Sequence, residues 1–297
     1  MSANPTNALD VKGLTMRFGG VTAIDDLTIE VAEGQITGLI GPNGAGKTTV
    51  FNVMTGFYQP QAGEVLLGTR KLNGLAPQAI CALGLARTFQ NIRLFDQGTV
   101  LENVMVGCHV RRKCSWWMAP LAWPPFFKEE KAIRLKSQAL LERLNLGGVS
   151  GEKASSLPYG AQRRLEIARA LATEPTILLL DEPAAGMNPQ ESSELMVFIE
   201  NVRKEFDLSI LLIEHDMKVV MGVCSMIWVM EYGRLIASGN PSEIKNNPKV
   251  ISAYLGHQES EDSEDPQGSS SSDPQGSSSG GPQGPGADNS QGTASDA

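Results

Sequence analysis

Three stretches of the chain are apolar at nearly every position: Gln35-Ile-Thr-Gly-Leu-Ile40, Thr176-Ile-Leu-Leu-Leu-Asp181 and Leu208-Ser-Ile-Leu-Leu-Ile213. An unbroken apolar run, rather than an alternating one, fits a parallel strand covered on both faces. Helical spacing follows the first run from Lys47 to Gly56. From Pro189 to Phe206 the apolar positions Leu195, Phe198, Ile199 and Val202 fall at i, i+3, i+4 and i+7, one face of a helix. Near each end the pattern changes to antiparallel pairs. Leu9 to Arg17 faces Leu27 to Val31, and Ser225 to Glu231 faces Gly233 to Ser238 across Tyr232-Gly233. Residues from about 91 to 172 read as mostly helical. The expected architecture is an α/β core with an antiparallel β subdomain and an inserted helical subdomain.

One segment fits neither period. Ser115-Trp-Trp-Met-Ala-Pro-Leu-Ala-Trp-Pro-Pro-Phe-Phe127 is the most apolar stretch, and Pro120, Pro124 and Pro125 break any helix within it. It reads as a loop folded back on the helical part; an exposed apolar patch is the alternative. No run approaches the 18 residues that span a bilayer, and Met1 to Asp10 lacks the basic and apolar regions of a signal peptide.

Charge separates the body from its end. The chain of 297 residues has 25 basic and 33 acidic residues, a formal net charge of −8. Eight acids and no Lys or Arg lie from Gln258 to Ala297, so residues 1–257 carry 25 of each sign. A neutral body does not seek nucleic acid. In the last forty residues Asp265-Pro-Gln-Gly-Ser-Ser-Ser recurs from Asp273. Such a composition buries too little apolar area to offset chain entropy, so 258–297 is expected to be a disordered acidic tail and 8–257 the folded domain. The four cysteines, Cys81, Cys108, Cys114 and Cys224, form no C-x-x-C pair and read as reduced, mostly buried thiols.

The chemistry begins at Gly41-Pro-Asn-Gly-Ala-Gly-Lys-Thr-Thr49. This is a phosphate loop between a strand and a helix, the P-loop NTPase (RecA-like) arrangement. Glycines let backbone N–H groups close around phosphate oxygens, and the helix N-terminus adds its positive dipole end. Gly41, Pro42, Asn43, Gly44, Ala45, Gly46, Lys47, Thr48 and Thr49 form the candidate cradle. Lys47 would reach the β- and γ-phosphates and Thr48 would ligate Mg²⁺. The strand of residues 177–181 ends in two acids. Asp181 fits a Mg²⁺-side carboxylate, and Glu182 is placed to polarise an attacking water as general base. No Asn-Lys-x-Asp stretch suggests guanine recognition.

From about Leu9 to Gly256 the chain resembles the nucleotide-binding subunits of ATP-binding-cassette (ABC) transporters. Phe18 stands where that family places an aromatic against adenine. Gln90, in Arg87-Thr-Phe-Gln-Asn91, resembles the Q-loop glutamine that contacts Mg²⁺ or water. Leu157-Pro-Tyr-Gly-Ala-Gln162 stands where the family has Leu-Ser-Gly-Gly-Gln, putting Pro158, Tyr159 and Gly160 toward a partner's nucleotide. Ala185-Gly-Met-Asn188 occupies the D-loop, and His215 matches the switch histidine that contacts the γ-phosphate. Taken singly, Phe18 reads as a core aromatic, Gln90 as a surface amide and His215 as a structural histidine; six motifs in order outweigh those readings.

Within the family the chain is closer to the ATPase subunits of branched-chain amino acid importers. The resemblance rests on Leu85-Ala-Arg-Thr-Phe-Gln-Asn-Ile-Arg-Leu-Phe95, Gln162-Arg-Arg-Leu-Glu-Ile-Ala-Arg169, Asp181-Glu-Pro-Ala-Ala-Gly-Met-Asn-Pro189, Ile213-Glu-His-Asp-Met217 and Ala253-Tyr-Leu-Gly256. It implies ATP and Mg²⁺ as cofactors and Glu182, His215 and Lys47 as catalytic residues, with Thr48, Gln90 and Asp181 toward the metal. It implies a homodimer, or a heterodimer with a sister ATPase, on a separate membrane permease at the cytoplasmic face of the inner membrane. A solute-binding protein would be an indirect partner. Importers of urea or other amides, lipopolysaccharide-export ATPases and soluble ABC ATPases are the alternatives.

Overall fold

The computed structural model describes residues 7–112 and 124–261. Ten strands and nine α-helices run through these residues in an alternating order. A four-stranded antiparallel sheet has the order β2-β1-β4-β5, built from β1 (Asn7–Phe18), β2 (Val21–Ala32), β4 (Ala62–Leu67) and β5 (Arg70–Lys71). A six-stranded sheet has the order β10-β9-β3-β8-β7-β6. Its strands are β3 (Ile36–Ile40), β6 (Leu85–Arg87), β7 (Ile177–Asp181), β8 (Ser209–Ile213), β9 (Met226–Glu231) and β10 (Arg234–Gly239). Every pairing in it is parallel except β9 with β10.

The three apolar runs are β3, β7 and β8, and each is buried at all five positions. Their side chains divide between two cores, as a pleat of period two demands. Leu178, Leu180, Ile210 and Leu212 face one core, which they share with the helical part of the chain. Ile177, Leu179, Leu211 and Ile213 face the other, shared with the antiparallel sheet and α1 (Lys47–Met54). The central sheet is therefore a middle layer. The helical insert has no core of its own; it completes the sheet's second face.

Both antiparallel pairs expected from the sequence form. β1 pairs β2 with Leu9 opposite Val31 and Leu14 opposite Leu27, and a register shift lies between Val11 and Leu14. β9 pairs β10 across Tyr232-Gly233. The helix expected at 189–206 is α6 (Pro189–Phe206), opened by an Asn188–Glu191 capping box with Pro189 in its first turn. In the 91–172 region the first helix starts later than the composition suggests. α3 (Val100–Cys108) begins behind a Thr99–Glu102 capping box, so residues 91–99 are loop. α4 (Pro124–Arg143) and α5 (Tyr159–Leu171) complete the insert, and α3 packs against both.

The strands β4, β5 and β6 and the helices α2 (Pro77–Leu83), α7 (Met217–Val223), α8 (Pro241–Lys245) and α9 (Pro248–Glu261) are additions to the sequence reading. Two expectations change. Pro124 and Pro125 do not break a helix but open one, since the first turn needs no N–H donors from them. α9 runs to Glu261, past the boundary set at 258. Residues 113–123 of the Pro/Trp segment, Cys114 among them, and the acidic tail from 262 lie outside the described residues. Cys108 and Cys224 are buried and Cys81 half-buried, all with free thiols. No helix among the described residues is long and apolar enough to cross a membrane.

Candidate functional site

The loop between β3 and α1 is built by exclusion. A Cβ on Gly41 would lie 2.1 Å from the Met230 carbonyl oxygen, and one on Gly46 would lie 2.4 Å from that of Ala23. Both glycines are thus fixed by neighbouring backbone. The Ala45 carbonyl accepts from the Gly233 amide at 3.0 Å, so the β9–β10 turn braces the loop from behind. On the open side Asn43, Gly44 and Thr48 are exposed, whereas Pro42, Ala45 and Lys47 are buried and Thr49 half-buried.

Lys47 turns back into its own loop. Its ammonium donates to the carbonyls of Gly41 at 2.7 Å and Pro42 at 3.0 Å. Burial lowers its pKa below the ordinary lysine value, an effect that the Glu182 and Asp181 carboxylates oppose.

Asp181 ends β7 and Glu182 follows it, as expected, but their surroundings differ. Asp181 Oδ2 accepts from an Arg87 guanidinium nitrogen at 2.7 Å, with both side chains 5% exposed. Arg87 also donates to Asn52 Oδ1 at 2.7 Å. Glu182 has a left-handed backbone, φ 45°, an unusual conformation for a residue with a Cβ. Its amide donates to Ile213 O at 2.9 Å. Its carboxylate accepts from Gln90 Nε2 at 2.7 Å, and His215 Nδ1 lies 3.8 Å from the same oxygen. His215 itself is largely exposed. The next residue back, Glu214, is buried; its carboxylate accepts from the Ala184 amide at 2.9 Å, and burial raises its pKa.

Thr48, Gln90 and Asp181 line one cavity of about 380 Å³, together with Arg87 and Asn52. A hydroxyl, an amide oxygen and a carboxylate form an oxygen donor set suited to a hard cation such as Mg²⁺. Phe18 is not among that lining. It is exposed and meets Tyr58 edge to face, with ring centroids 5.2 Å apart. Pro158 is the N-cap of α5 and makes no side-chain capping bond. Tyr159 opens the helix, and a Cβ on Gly160 would meet nothing within 4 Å. Asn188, in the D-loop, is spent on capping α6.

Comparison with known proteins is decisive at this point. The ABC transporter family model matches residues 24–185, more than half of the chain. The chain belongs to the ABC transporter family. A second model, the branched-chain amino acid ATP-binding cassette transporter, matches residues 234–260, from β10 through α9. The high-affinity branched-chain amino acid transport ATP-binding protein LivG of Salmonella typhimurium is 49% identical over 84% of this chain and 97% of its own length. BraF of Pseudomonas aeruginosa, a protein of the same description, is 46% identical over the same shares. Among solved structures, the ADP conformation of an ATP-binding cassette of an ABC transporter superposes with a TM-score of 0.74 at 31% identity, covering 84% of this chain and 99% of that one. The chain is thus a P-loop ATPase of this family, and it binds ATP.

Sequence reading missed the partners of the site. It assigned no role to Arg87, Asn52, Tyr58, Arg163 or Glu214. A cation inside the short apolar stretch Leu85-Ala-Arg87 is the kind of irregularity that points to a buried ion pair.

Proposed function

We propose that this protein is the ATP-hydrolysing subunit that energises a membrane permease for import of branched-chain or related hydrophobic amino acids. The observation that carries the catalytic reading is the meeting of Gln90, Glu182 and His215 within 4 Å of one carboxylate oxygen at the end of β7. Glu182 is the general base. It is held by an amide donor, beside a strand-end carboxylate and a buried lysine. His215 is exposed enough to meet a γ-phosphate. Lys47 exchanges its carbonyl partners for phosphate oxygens, and the residue 41–49 backbone cradles the phosphates. Phe18 and Tyr58 offer aromatic surface to the base.

Thr48, Asp181 and Gln90 would hold Mg²⁺, whose chemistry is to neutralise charge on the phosphates. Asp181 can serve through water or after yielding part of its bond to Arg87. The amino acid substrate class follows from the identity to LivG and BraF along nearly their whole length. The working unit has two ATPase chains, alike or sister subunits, and Pro158, Tyr159 and Gly160 face the partner's nucleotide. It sits on the cytoplasmic face of the inner membrane with the permease, which a solute-binding protein supplies. Residues 8–257 constitute the ATPase domain, and the tail lies outside it.

Glu182→Gln tests the assignment. Turnover should fall by about 10²–10⁴-fold while ATP is still bound. Size-exclusion chromatography with Mg-ATP should then show an accumulating dimer. Turnover close to that of the unaltered protein would remove Glu182 from the role of base.

A further inference from the structure

The turn that carries Glu182 is gripped from two sides. From the core, Glu214 at the end of β8 accepts the Ala184 amide at 2.9 Å. From the helical insert, the Tyr159 hydroxyl at the start of α5 donates to the Ala185 carbonyl at 2.9 Å. The Ala185 amide in turn bonds the Glu182 carbonyl at 3.1 Å, so the Tyr159 contact is one short turn from the base.

Tyr159 is itself held. Arg163, one helical turn along α5 and fully buried, donates to the Tyr159 oxygen at 3.4 Å. The same guanidinium donates to the carbonyls of Phe89 and Gln90, each at 2.8 Å, and to Glu166 at 2.8 Å. Gln90 is the residue whose side chain holds the Glu182 carboxylate. One buried cation on α5 therefore supports both holds on the general base: the Gln90 amide on its side chain, and the Tyr159 hydroxyl on its backbone turn.

We propose that Tyr159 is a positioning residue for hydrolysis, tying the orientation of Glu182 to the placement of α5 through the Ala185 carbonyl. The inference rests on Glu182 being the base. Glu182 has a left-handed backbone that does not hold itself. The Glu214 grip moves with the sheet, whereas the Tyr159 grip moves with the helical insert. A shift of α5 thus releases one grip and keeps the other, and the base loses its aim without the core being disturbed. The Tyr159 ring is exposed, so its hydroxyl is not needed to fill space.

Tyr159→Phe in the full-length chain separates these roles. The variant keeps ring and backbone and deletes the hydroxyl, with its bond to Ala185 and the longer one it accepts from Arg163. Steady-state ATP hydrolysis should show kcat lowered roughly 3- to 10-fold, the effect of one net hydrogen bond. KM for ATP and the melting temperature should stay unchanged, because the hydroxyl is turned to Ala185 and the substitution leaves in place the backbone of 158–160 that faces the partner's nucleotide. Unchanged kcat would overturn the proposal. So would a fall in kcat that comes with an equal rise in KM or with a lower melting temperature, since those mark a binding or a packing role. Unaltered protein without ATP turnover would overturn the catalytic reading together with this one, an outcome distinct from an active parent equalled by its variant.

Discussion

Gly46 and Gly160 both sit at the start of a helix, and their surroundings are opposite. In the phosphate loop a Cβ at Gly46 would strike the Ala23 carbonyl, and the backbone there is left-handed, φ 101°. At the start of α5 a Cβ on Gly160 would meet nothing. The first glycine is demanded by its own chain. The second has no such reason within the described residues; on the reading proposed above, the partner's nucleotide is what approaches it.

This contrast is open to attack by substitution. Gly160→Asp should have the largest effect on activity and almost none on folding. Hydrolysis should fall by about 100-fold or more, as when a preorganised donor site for phosphate oxygens is spoiled. The melting temperature should move by no more than about 2 °C. A large loss of stability would show that the open space at Gly160 is filled. Gly41→Ala should do the reverse to the fold. The overlap with the Met230 carbonyl should cost about 3 kcal/mol, read as a drop of about 6–12 °C in melting temperature. A Gly41→Ala protein that melts with its parent would mean the loop relaxes freely, and the contrast would fail.

Smaller effects sharpen the α5 side. Pro158 caps α5 with neither a side-chain acceptor nor an N–H. Pro158→Ser should add about 0.5–1 kcal/mol of capping, a rise of a few degrees at most. In a Glu182→Gln background it should also tighten ATP-driven self-association, measured by sedimentation. No gain in self-association would show that position 158 does not limit the shared site. Removing residues 262–297 should change least: equal melting temperature and equal ATPase rate, because its composition offers little to pack. A loss of several degrees would place the tail on the body.

The same contrast explains what the sequence could and could not tell. β3, β7 and β8 were legible because burial on both faces leaves only apolar residues, a pattern written in adjacent letters. α6 was legible from its period. The short strands β5 and β6 were not, since two or three residues have no period; β6 exists because Leu85 to Arg87 pairs with β7. In the site, the loop, Asp181 and Glu182 announced themselves by local spacing. Their partners did not. Arg87 is 94 residues from Asp181, and Arg163 is 73 from Gln90. Bonds across such separations are set by the pairing of β6 with β7 and the packing of α5 on β6, which no local window contains. Tyr159 looked like a departure from a family motif. Its hydroxyl contact with Ala185 turns that departure into a link.

Lys47 gives the cradle a threshold. Its ammonium is already satisfied by two carbonyl oxygens, and nearby carboxylates favour its charge. Any newcomer competes with the loop itself. A lone, weakly charged acceptor gains little by replacing two good neutral ones. A polyphosphate presents several ionised oxygens at once, so that charge meets charge where the carbonyls offer only a dipole. On the proposed function, such a ligand draws the Lys47 ammonium from the Gly41 and Pro42 carbonyls while the loop amides bond its other oxygens. Preference for a polyphosphate over a lone anion thus begins before any contact with base or sugar, in the carbonyl bonds that Lys47 must exchange.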